Sequence, residues 1–198
     1  MVRFFTLEIL LPQPADAGGS HISDFLPMGK RVFEKADLYL RRGNRKRLGR
    51  LLRRHRYLLN SQNSILVYRA VWQCKNMLPW LLAQGVHPDC KMYVTDNTPL
   101  MSAASDGDLA TTRLLLDHGA DPNARNGHNE VPLGYACSYG QWEAARLLVE
   151  RGADVNGIER QGMTHLEWMT YCSNEQGIRV LRSLGGVLSA ERNRDNEM

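Results

Sequence analysis

The sequence lacks the features that mark membrane-spanning, zinc-binding and redox proteins. No apolar run reaches the roughly 18 to 20 residues that a helix needs to cross a bilayer, which excludes a membrane span. The 4 cysteines of this 198-residue chain include no C-x-x-C pair, so neither a zinc knuckle nor a dithiol motif is present. Scattered cysteines favour a reducing compartment, and we expect a cytoplasmic protein.

Motifs of catalysis and cofactor binding are absent as well. The sequence contains no G-x-S-x-G, P-loop, H-E-x-x-H or G-x-G-x-x-G segment. Cys172 is a conceivable reactive thiol, but no activating base lies near it in the sequence. We therefore predict a protein that is not an enzyme and that uses no metal, cofactor or small-molecule substrate.

The positive charge is concentrated in one segment. The chain has 25 Lys and Arg against 21 Asp and Glu, and Arg41 to Arg56 holds nine of the basic residues and no acidic one. The remainder is therefore mildly acidic. Because 43% of the residues are apolar, the chain can form a hydrophobic core, and we expect one folded domain.

The two ends of the chain differ in character from the middle. Phe4 to Leu11 is apolar and precedes Ala15 to Ala17, which resembles a signal-peptide cleavage site. A glutamate interrupts the apolar run, however, and two prolines follow it. We expect residues 1–30 to be a poorly ordered leader, with secretion through such a signal as the open alternative, and residues 191–198 to be a polar tail.

A repeat of 33 or 34 residues is the strongest pattern in the chain. Glycines near the end of each unit keep the period, at Gly85, Gly119, Gly152 and Gly185. We divide the chain accordingly into residues 31–63, 64–97, 98–130, 131–163 and 164–190. A period of this length indicates a solenoid, in which each repeat packs only against its neighbours.

The clearest unit begins at Thr98. Its hydroxyl can cap the first amides of a helix, and Pro99 suits the first helical position because it has no amide hydrogen to leave unpaired. Ala103 and Ala104 leave room for a neighbouring repeat, and Leu114 to Leu116 supply an apolar stripe for a second helix. The late glycine can adopt the left-handed conformation that ends this helix. Each unit should therefore contain two helices.

These segments resemble the ankyrin repeat. Thr98-Pro99-Leu100 matches the T-P-L-H-x-A-A opening of that family, and the segment ending at Gly119 to Asn123 matches its L-L-x-x-G-A-D-x-N closing. Val131-Pro132-Leu133 and Gly152 to Asn156 repeat the match in the next unit. The resemblance implies an all-α fold, a solenoid of stacked helix-turn-helix units with hairpin loops.

The resemblance is looser toward the N-terminus. In residues 64–97, Pro79 falls where the second helix should start, so we expect this helix to begin late with Asn76 as its cap. In residues 31–63, His55 stands where the closing glycine should be. We interpret residues 31–63 as a degenerate capping repeat, and an unrelated helical hairpin packed on the first true repeat is the alternative.

Membership of this family would also imply a function, because ankyrin arrays bind proteins along a concave groove. We therefore predict a scaffold or adaptor whose partner is an unidentified protein. The implied groove positions in the helices are Val71, Trp72, Ser105, Asp106, Ser138, Tyr139 and Tyr171. Those in the hairpin loops are Asn97, His128, Glu130, Arg160, Gln161 and Met163.

Three aromatic residues support a binding role independently of the resemblance. Trp72, Tyr139 and Tyr171 fall at non-core positions of the expected helices, and aromatic side chains with a polar tip are frequent at interfaces. The alternative is that Trp72 packs under the N-terminal segment while the tyrosines only cover backbone. The sequence leaves both interpretations open.

The basic segment from Arg41 to Arg56 is a second candidate surface. Leu48, Leu51 and Leu52 recur at helical intervals, so we expect one apolar side and a cationic outside. The candidate anion-binding residues are Arg45, Lys46, Arg47, Arg50, Arg53 and Arg54. Such a face attracts nucleic acid or another anionic partner, although no recognised nucleic-acid-binding motif accompanies it. The alternative is a solvated helix face.

Overall fold

The computed structural model describes residues 26–59, 65–91, 96–159 and 162–191. The helices are α1 (Leu26–Arg41), α2 (Arg45–Arg54), α3 (Ile65–Gln73), α4 (Leu78–Ala83), α5 (Pro99–Ser105), α6 (Leu109–Asp117), α7 (Pro132–Ser138), α8 (Trp142–Glu150), α9 (His165–Tyr171) and α10 (Glu175–Ser183). They follow one another as antiparallel pairs, and the predicted all-α solenoid is confirmed. Most of the predicted leader and of the predicted tail lies outside the described residues, but α1 begins ahead of the predicted boundary at residue 31.

The helices begin where the sequence provides side-chain caps. The Thr98 hydroxyl oxygen accepts the Met101 N–H at 3.3 Å, with Pro99 in the first turn of α5. In α9 the corresponding Thr164 forms a reciprocal capping box with Glu167, whose carboxylate accepts the Thr164 N–H at 2.8 Å. Val131 provides no side-chain cap for α7, so the three related openings are not equivalent.

The second helices end as the late glycines predict. Gly85, Gly119, Gly152 and Gly185 have φ of 81°, 84°, 96° and 93°, a region that residues with a β-carbon avoid. His55 ends α2 with φ of −124°, and the chain continues into a 3-10 turn at Arg56–Leu59. The first hairpin therefore closes by a different route from the four that follow it.

The start of α4 corrects one expectation. The helix begins late, at Leu78, because Lys75–Met77 first form a 3-10 turn and Pro79 sits in the first helical turn. The predicted cap at Asn76 was wrong, since Met77 occupies the cap position and forms no side-chain hydrogen bond there. Proline fits this turn because the first amides of a helix have no intrahelical acceptor.

One hydrophobic core runs through all the helix pairs. Leu115, Leu148 and Leu181, from three successive second helices, are fully buried in the same cluster. Ala103 and Ala104 are also buried, so the small residues lie between repeats as predicted. The Asp37 carboxylate bridges Arg41 and Arg69, at 2.9 and 3.3 Å, and so ties α1 to α3.

Side-chain to backbone hydrogen bonds link the loops of successive repeats. The side-chain amide of Asn123 accepts the Asp154 N–H at 2.8 Å and donates to the Gly152 carbonyl at 2.9 Å. Asn156 does the same with the Val187 N–H at 2.9 Å and the Gly185 carbonyl at 3.1 Å. We call this pair of side chains the asparagine ladder, since each one fixes the register of the next repeat.

The first helices of neighbouring repeats are not evenly spaced. The backbones of α5 and α7 lie close along their length, whereas α7 and α9 approach each other at far fewer positions. The wider gap is partly occupied by side chains from the loop that precedes α9. This gap positions the cavity described below.

Candidate functional site

The first helices of successive repeats present exposed side chains at equivalent positions next to their C-terminal turns. Trp72 and Tyr139 are 60% and 65% exposed, and Asp106 stands between them at the corresponding position of the middle repeat. Val71 and Cys137, one and two residues before Trp72 and Tyr139, are buried. The same helices therefore direct Trp72 and Tyr139 away from the core. The result is a row of solvent-facing groups along the array.

The fourth repeat adds a stacked aromatic pair. Tyr171 is 74% exposed, and its ring stacks on Trp168 with centroids 5.7 Å apart. The sequence patterns did not identify Trp168 as a surface residue. Its position three residues before Tyr171 on one helix could have indicated that the two rings lie on the same face. We call Trp72, Asp106, Tyr139, Trp168 and Tyr171 the inner-helix face.

Trp72 is held in place by its own helix. Its ring stacks on Tyr68 with centroids 6.2 Å apart, and the Tyr68 hydroxyl oxygen accepts the Ser102 hydroxyl at 3.1 Å. Trp72 is therefore not packed beneath an N-terminal segment within the described residues. An exposed but fixed aromatic ring loses little side-chain freedom when a partner covers it.

Two of the predicted groove residues are buried. Val71 is 2% exposed and belongs to the core, because adjacent helical residues point about 100° apart and only Trp72 can face outward. Glu130 is 6% exposed, and its carboxylate accepts the Asn126 side-chain N–H at 2.8 Å. Both residues are therefore structural in the free chain, and predicting them as surface positions was wrong.

The remaining predicted groove residues are divided between surface and framework. Ser138 and His128 are exposed, and Ser105 and Met163 are half-buried. Asn97 is also half-buried, and its side-chain oxygen accepts the side-chain N–H of Asn126 at 2.7 Å in the network that holds Glu130. Arg160 and Gln161 lie outside the described residues.

A cavity of about 110 Å³ opens in the wide gap between α7 and α9. This volume is well above the roughly 10–15 Å³ that one water needs. Its lining includes Glu159, Met163, His165 and Trp168, so the cavity reaches the inner-helix face at Trp168. The sequence alone did not indicate this cavity, because its wall comes from a loop whose position depends on the stacking of two repeats.

Glu159 enters the cavity wall from the loop before α9. Its Oε1 accepts the Val131 N–H at 2.7 Å, and its Oε2 lies 3.6 Å from His165 Nδ1. A β-carbon at Gly134 would collide with this carboxylate, so the glycine gives it room against α7. Burial raises the pKa of Glu159 above its ordinary range, while the Val131 N–H opposes that shift.

His165 is buried beside this carboxylate. Loss of solvation lowers its pKa to about 4, so the imidazole is neutral near pH 7. Within the described residues, His165 Nε2 has no hydrogen-bond partner. A buried polar atom without a partner is uncommon in a folded protein and calls for a physical account.

The same cavity holds Cys137, but not as an active nucleophile. Burial raises the pKa of its thiol to about 12, so the sulfur stays protonated at neutral pH. The thiolate is the reactive form of cysteine, and a buried neutral thiol packs like a small apolar side chain. Cys137 therefore contributes to the cavity wall as a packing group.

The middle of the basic segment folds as predicted into an amphipathic helix, α2, while Arg41 ends α1 and Arg56 begins a 3-10 turn. Leu48 and Leu52 of α2 are buried in the core. The predicted anion-binding residues are all exposed, namely Arg45, Lys46, Arg47, Arg50, Arg53 and Arg54. Among the residues that the structure describes, none of these six forms a salt bridge with a carboxylate. We call them the basic face.

The described ranges contain neither a membrane span nor a metal centre. No helix there is both long enough and apolar enough to cross a bilayer. In those same ranges, no group of three or more His, Cys, Asp or Glu side chains is arranged to hold a metal ion.

Comparison with known proteins identifies the family of the chain. A family model described as ankyrin repeats (3 copies) matches residues 41–126, 66–159 and 100–188 in overlapping segments. No curated protein matches the chain.

Proposed function

The chain belongs to the ankyrin-repeat family, and from this premise we propose that it is a non-catalytic scaffold that binds a partner protein on its concave face. Ankyrin repeats are generally protein-interaction scaffolds. The proposed contact surface is the inner-helix face, joined by Ser138 and by the exposed loop residue His128.

The exposure of large aromatic rings in this row is the observation that carries the proposal. Trp72, Tyr139 and Tyr171 each leave most of their surface in water. Burying apolar surface yields about 25 cal/mol per Å², and aromatic residues dominate the binding energy of many interfaces. A partner that covers the row gains this energy without unfolding any part of the core.

A triple variant tests the proposal. Replacing Trp72, Tyr139 and Tyr171 by Ala should abolish capture of partner proteins in a pull-down read by quantitative mass spectrometry. The melting temperature should change by only about 1–2 °C, because these side chains are exposed. A matched control is the double variant Tyr57→Ala/Leu109→Ala, which removes exposed apolar groups elsewhere. Equal capture by the triple variant, or loss of its fold, would contradict the proposal.

The basic face supports a second candidate function, binding of nucleic acid or another anionic partner. Its six cations have no carboxylate partner in the described region, so their field is directed to solvent. Cations that contact phosphate release bound counterions, and affinity then falls steeply as salt rises.

A salt titration separates this candidate from the groove proposal. We expect binding to a random 20-base-pair duplex to weaken about tenfold or more between 50 and 200 mM salt if several phosphates are contacted. Changing Arg47, Arg50 and Arg54 to Gln should remove most of this duplex binding. The triple aromatic variant should bind the duplex as tightly as the unchanged chain. Absence of binding at low salt would eliminate the candidate.

We also propose the repeat divisions and the cytoplasmic location that the sequence suggested, with the first unit extended to include the whole of α1 from Leu26. Support for residues 31–63 as a cap comes from Leu40, Leu48 and Leu58, which lie in the common core. A cytoplasmic location is supported by the four cysteines, which are separate free thiols.

A further inference from the structure

The cavity between α7 and α9 contains two hydrogen-bond acceptors that the described residues leave unfilled. His165 Nδ1 faces a carboxylate oxygen at 3.6 Å, an arrangement that favours the proton on Nδ1. Nε2 is then a lone-pair acceptor, and it has no donor among the described side chains. Glu159 Oε2 likewise has no hydrogen bond in that region, since the Val131 N–H binds Oε1. Both unfilled atoms require a donor.

Among the described residues, Arg125 is the cation whose charge acts on Glu159, but it forms no ion pair with the carboxylate. In the described ranges Glu159 forms no salt bridge with a Lys or Arg side chain. Nη1 of Arg125 instead donates to the Asn129 and Ile158 carbonyl oxygens, at 3.2 and 3.0 Å. The ionised form of a carboxylate that is only 16% exposed is stabilised further when a cation pairs with it directly.

The helices around the cavity carry no positive charge that would repel a cationic ligand. The sequences of α5, α7 and α9 contain no Lys or Arg. Trp168 lines the cavity and is 39% exposed, so its indole is available at the entrance. Aromatic faces attract guanidinium and ammonium groups. The two acceptor atoms, of Glu159 and His165, and the indole of Trp168 at the entrance together suit a cationic side chain.

We propose that this cavity is a socket for an arginine or lysine side chain of the partner protein. The inserted group donates to Glu159 Oε2 and His165 Nε2 and lies against Trp168, while flanking residues of a basic peptide segment cross the inner-helix face. This inference deepens the proposed function and rests on it, because it names the partner's chemistry at the same face.

Peptide selection tests the inference while the partner is still unidentified. A random dodecamer library displayed on phage is selected against the full chain, with the triple variant at Trp72, Tyr139 and Tyr171 used for counter-selection. We expect the enriched sequences to share one Arg or Lys beside apolar residues. A synthetic enriched peptide is then compared with a version in which citrulline or norleucine replaces Arg or Lys.

Removing the charge of Glu159 and, separately, the charge of the peptide tests whether the two groups interact in the socket. Glu159→Gln keeps an oxygen for the Val131 N–H but loses the charge, so it should weaken the cationic peptide about tenfold and leave the neutral peptide unchanged. Glu150→Gln, at an exposed position on α8, is the matched control and should have no effect. Trp168→Ala provides a second variant at a partly exposed position should Glu159→Gln disturb folding.

The outcomes distinguish this inference from the proposed function. Enriched peptides that need the inner-helix face but tolerate a neutral residue, or that ignore Glu159→Gln and Trp168→Ala, would overturn the socket and leave the function standing. No enrichment over the triple variant would overturn both. Coupling between the peptide cation and Glu159 would establish the socket.

Discussion

The interface between α5 and α7 and the interface between α7 and α9 are built from related sequences but differ in spacing. At the first, Ala103 and Ala104 are fully buried and the helices lie close together. At the second, Glu159 and His165 stand in a cavity between helices that are farther apart. Small apolar residues thus accompany the close contact, and longer side chains, among them Glu159 and Met169, line the wider gap.

The difference shows how one repeat framework yields both a closely packed interface and an interface with a cavity. Close packing of small residues leaves no volume for a ligand, since protein interiors have the density of organic crystals. The wider gap gives up part of that contact and gains a pocket with polar atoms. The two interfaces should therefore respond differently to mutation and to pH.

The largest effect is expected for a core leucine at the closely packed interface. Leu133→Ala in α7 should lower the free energy of unfolding by about 3 kcal/mol, since its side chain is fully buried in a helix that packs closely on α5. Leu166→Ala at the same position of the last repeat should cost about 2 kcal/mol, because α9 has looser contact with α7. Urea denaturation measures both, and a greater loss at Leu166 would contradict this difference in packing.

The next effect is a pH dependence confined to the wide interface. His165 has a folded-state pKa of about 4, below its ordinary value, so the unfolded chain takes up a proton first as pH falls. Its contribution to stability is complete above about pH 6.5 and declines by up to about 1.4 kcal/mol per pH unit below it. Between pH 6.5 and 4.5 the loss should reach about 2 kcal/mol.

Urea denaturation across this pH range measures the effect. Glu159 acts in the opposite direction, because its raised pKa means that the folded state gains a proton first as pH falls. The test is therefore made in a Glu159→Gln background. Adding His165→Gln should flatten the slope, and an unchanged slope would assign the dependence to other groups.

A smaller effect is expected from filling the space that Gly134 leaves for Glu159. Gly134→Ala should destabilise the protein by about 1–2 kcal/mol, since the added methyl group displaces the carboxylate from the Val131 N–H. In a Glu159→Ala background the same change should be neutral or stabilising, because alanine favours helix. Thermal melts of the double-mutant cycle measure this coupling. Stabilisation by Gly134→Ala alone would contradict the collision.

The smallest effect is a gain in stability at the α7 opening. Val131 offers no side-chain cap, whereas Thr98 and Thr164 cap the openings on either side. Val131→Thr should raise the free energy of unfolding by about 0.5–1 kcal/mol. Differential scanning calorimetry measures the gain, and Thr164→Ala, with a loss of about 1 kcal/mol, is the reference. A lower melting temperature for Val131→Thr would show that burying the hydroxyl outweighs the cap.

The features that the sequence predicted correctly are governed by neighbours along the chain. Thr98 and Pro99 begin a helix, and Gly119 ends the next, because caps and left-handed turns depend on a few adjacent residues. The recurrence of such signals at a fixed spacing then indicated the stacking. The same locality made the amphipathic α2 predictable.

The features that were missed depend on contacts between repeats. Val71 and Trp72 are adjacent, and only the orientation of α3 against the core determines which of them is buried. Glu159 corresponds to Asn126 of the preceding unit. The shorter Asn126 side chain accepts the His128 and Glu130 N–H groups of its own loop, whereas Glu159 reaches back to the N–H at the start of α7. A difference in side-chain length therefore places a carboxylate in the cavity wall, and no repeat motif signals it.

The asparagine ladder has a consequence for how this array can change length in evolution. Excising residues 131–163 would bring Asn123 opposite the Gly185 carbonyl and the Val187 N–H, the partners that Asn156 now holds. The splice would reproduce the original donor and acceptor pairing, whereas a deletion of any other length would leave the amide opposite the wrong atoms. Interchangeable bonding of this kind lets whole units be lost or duplicated while fractional ones are rejected.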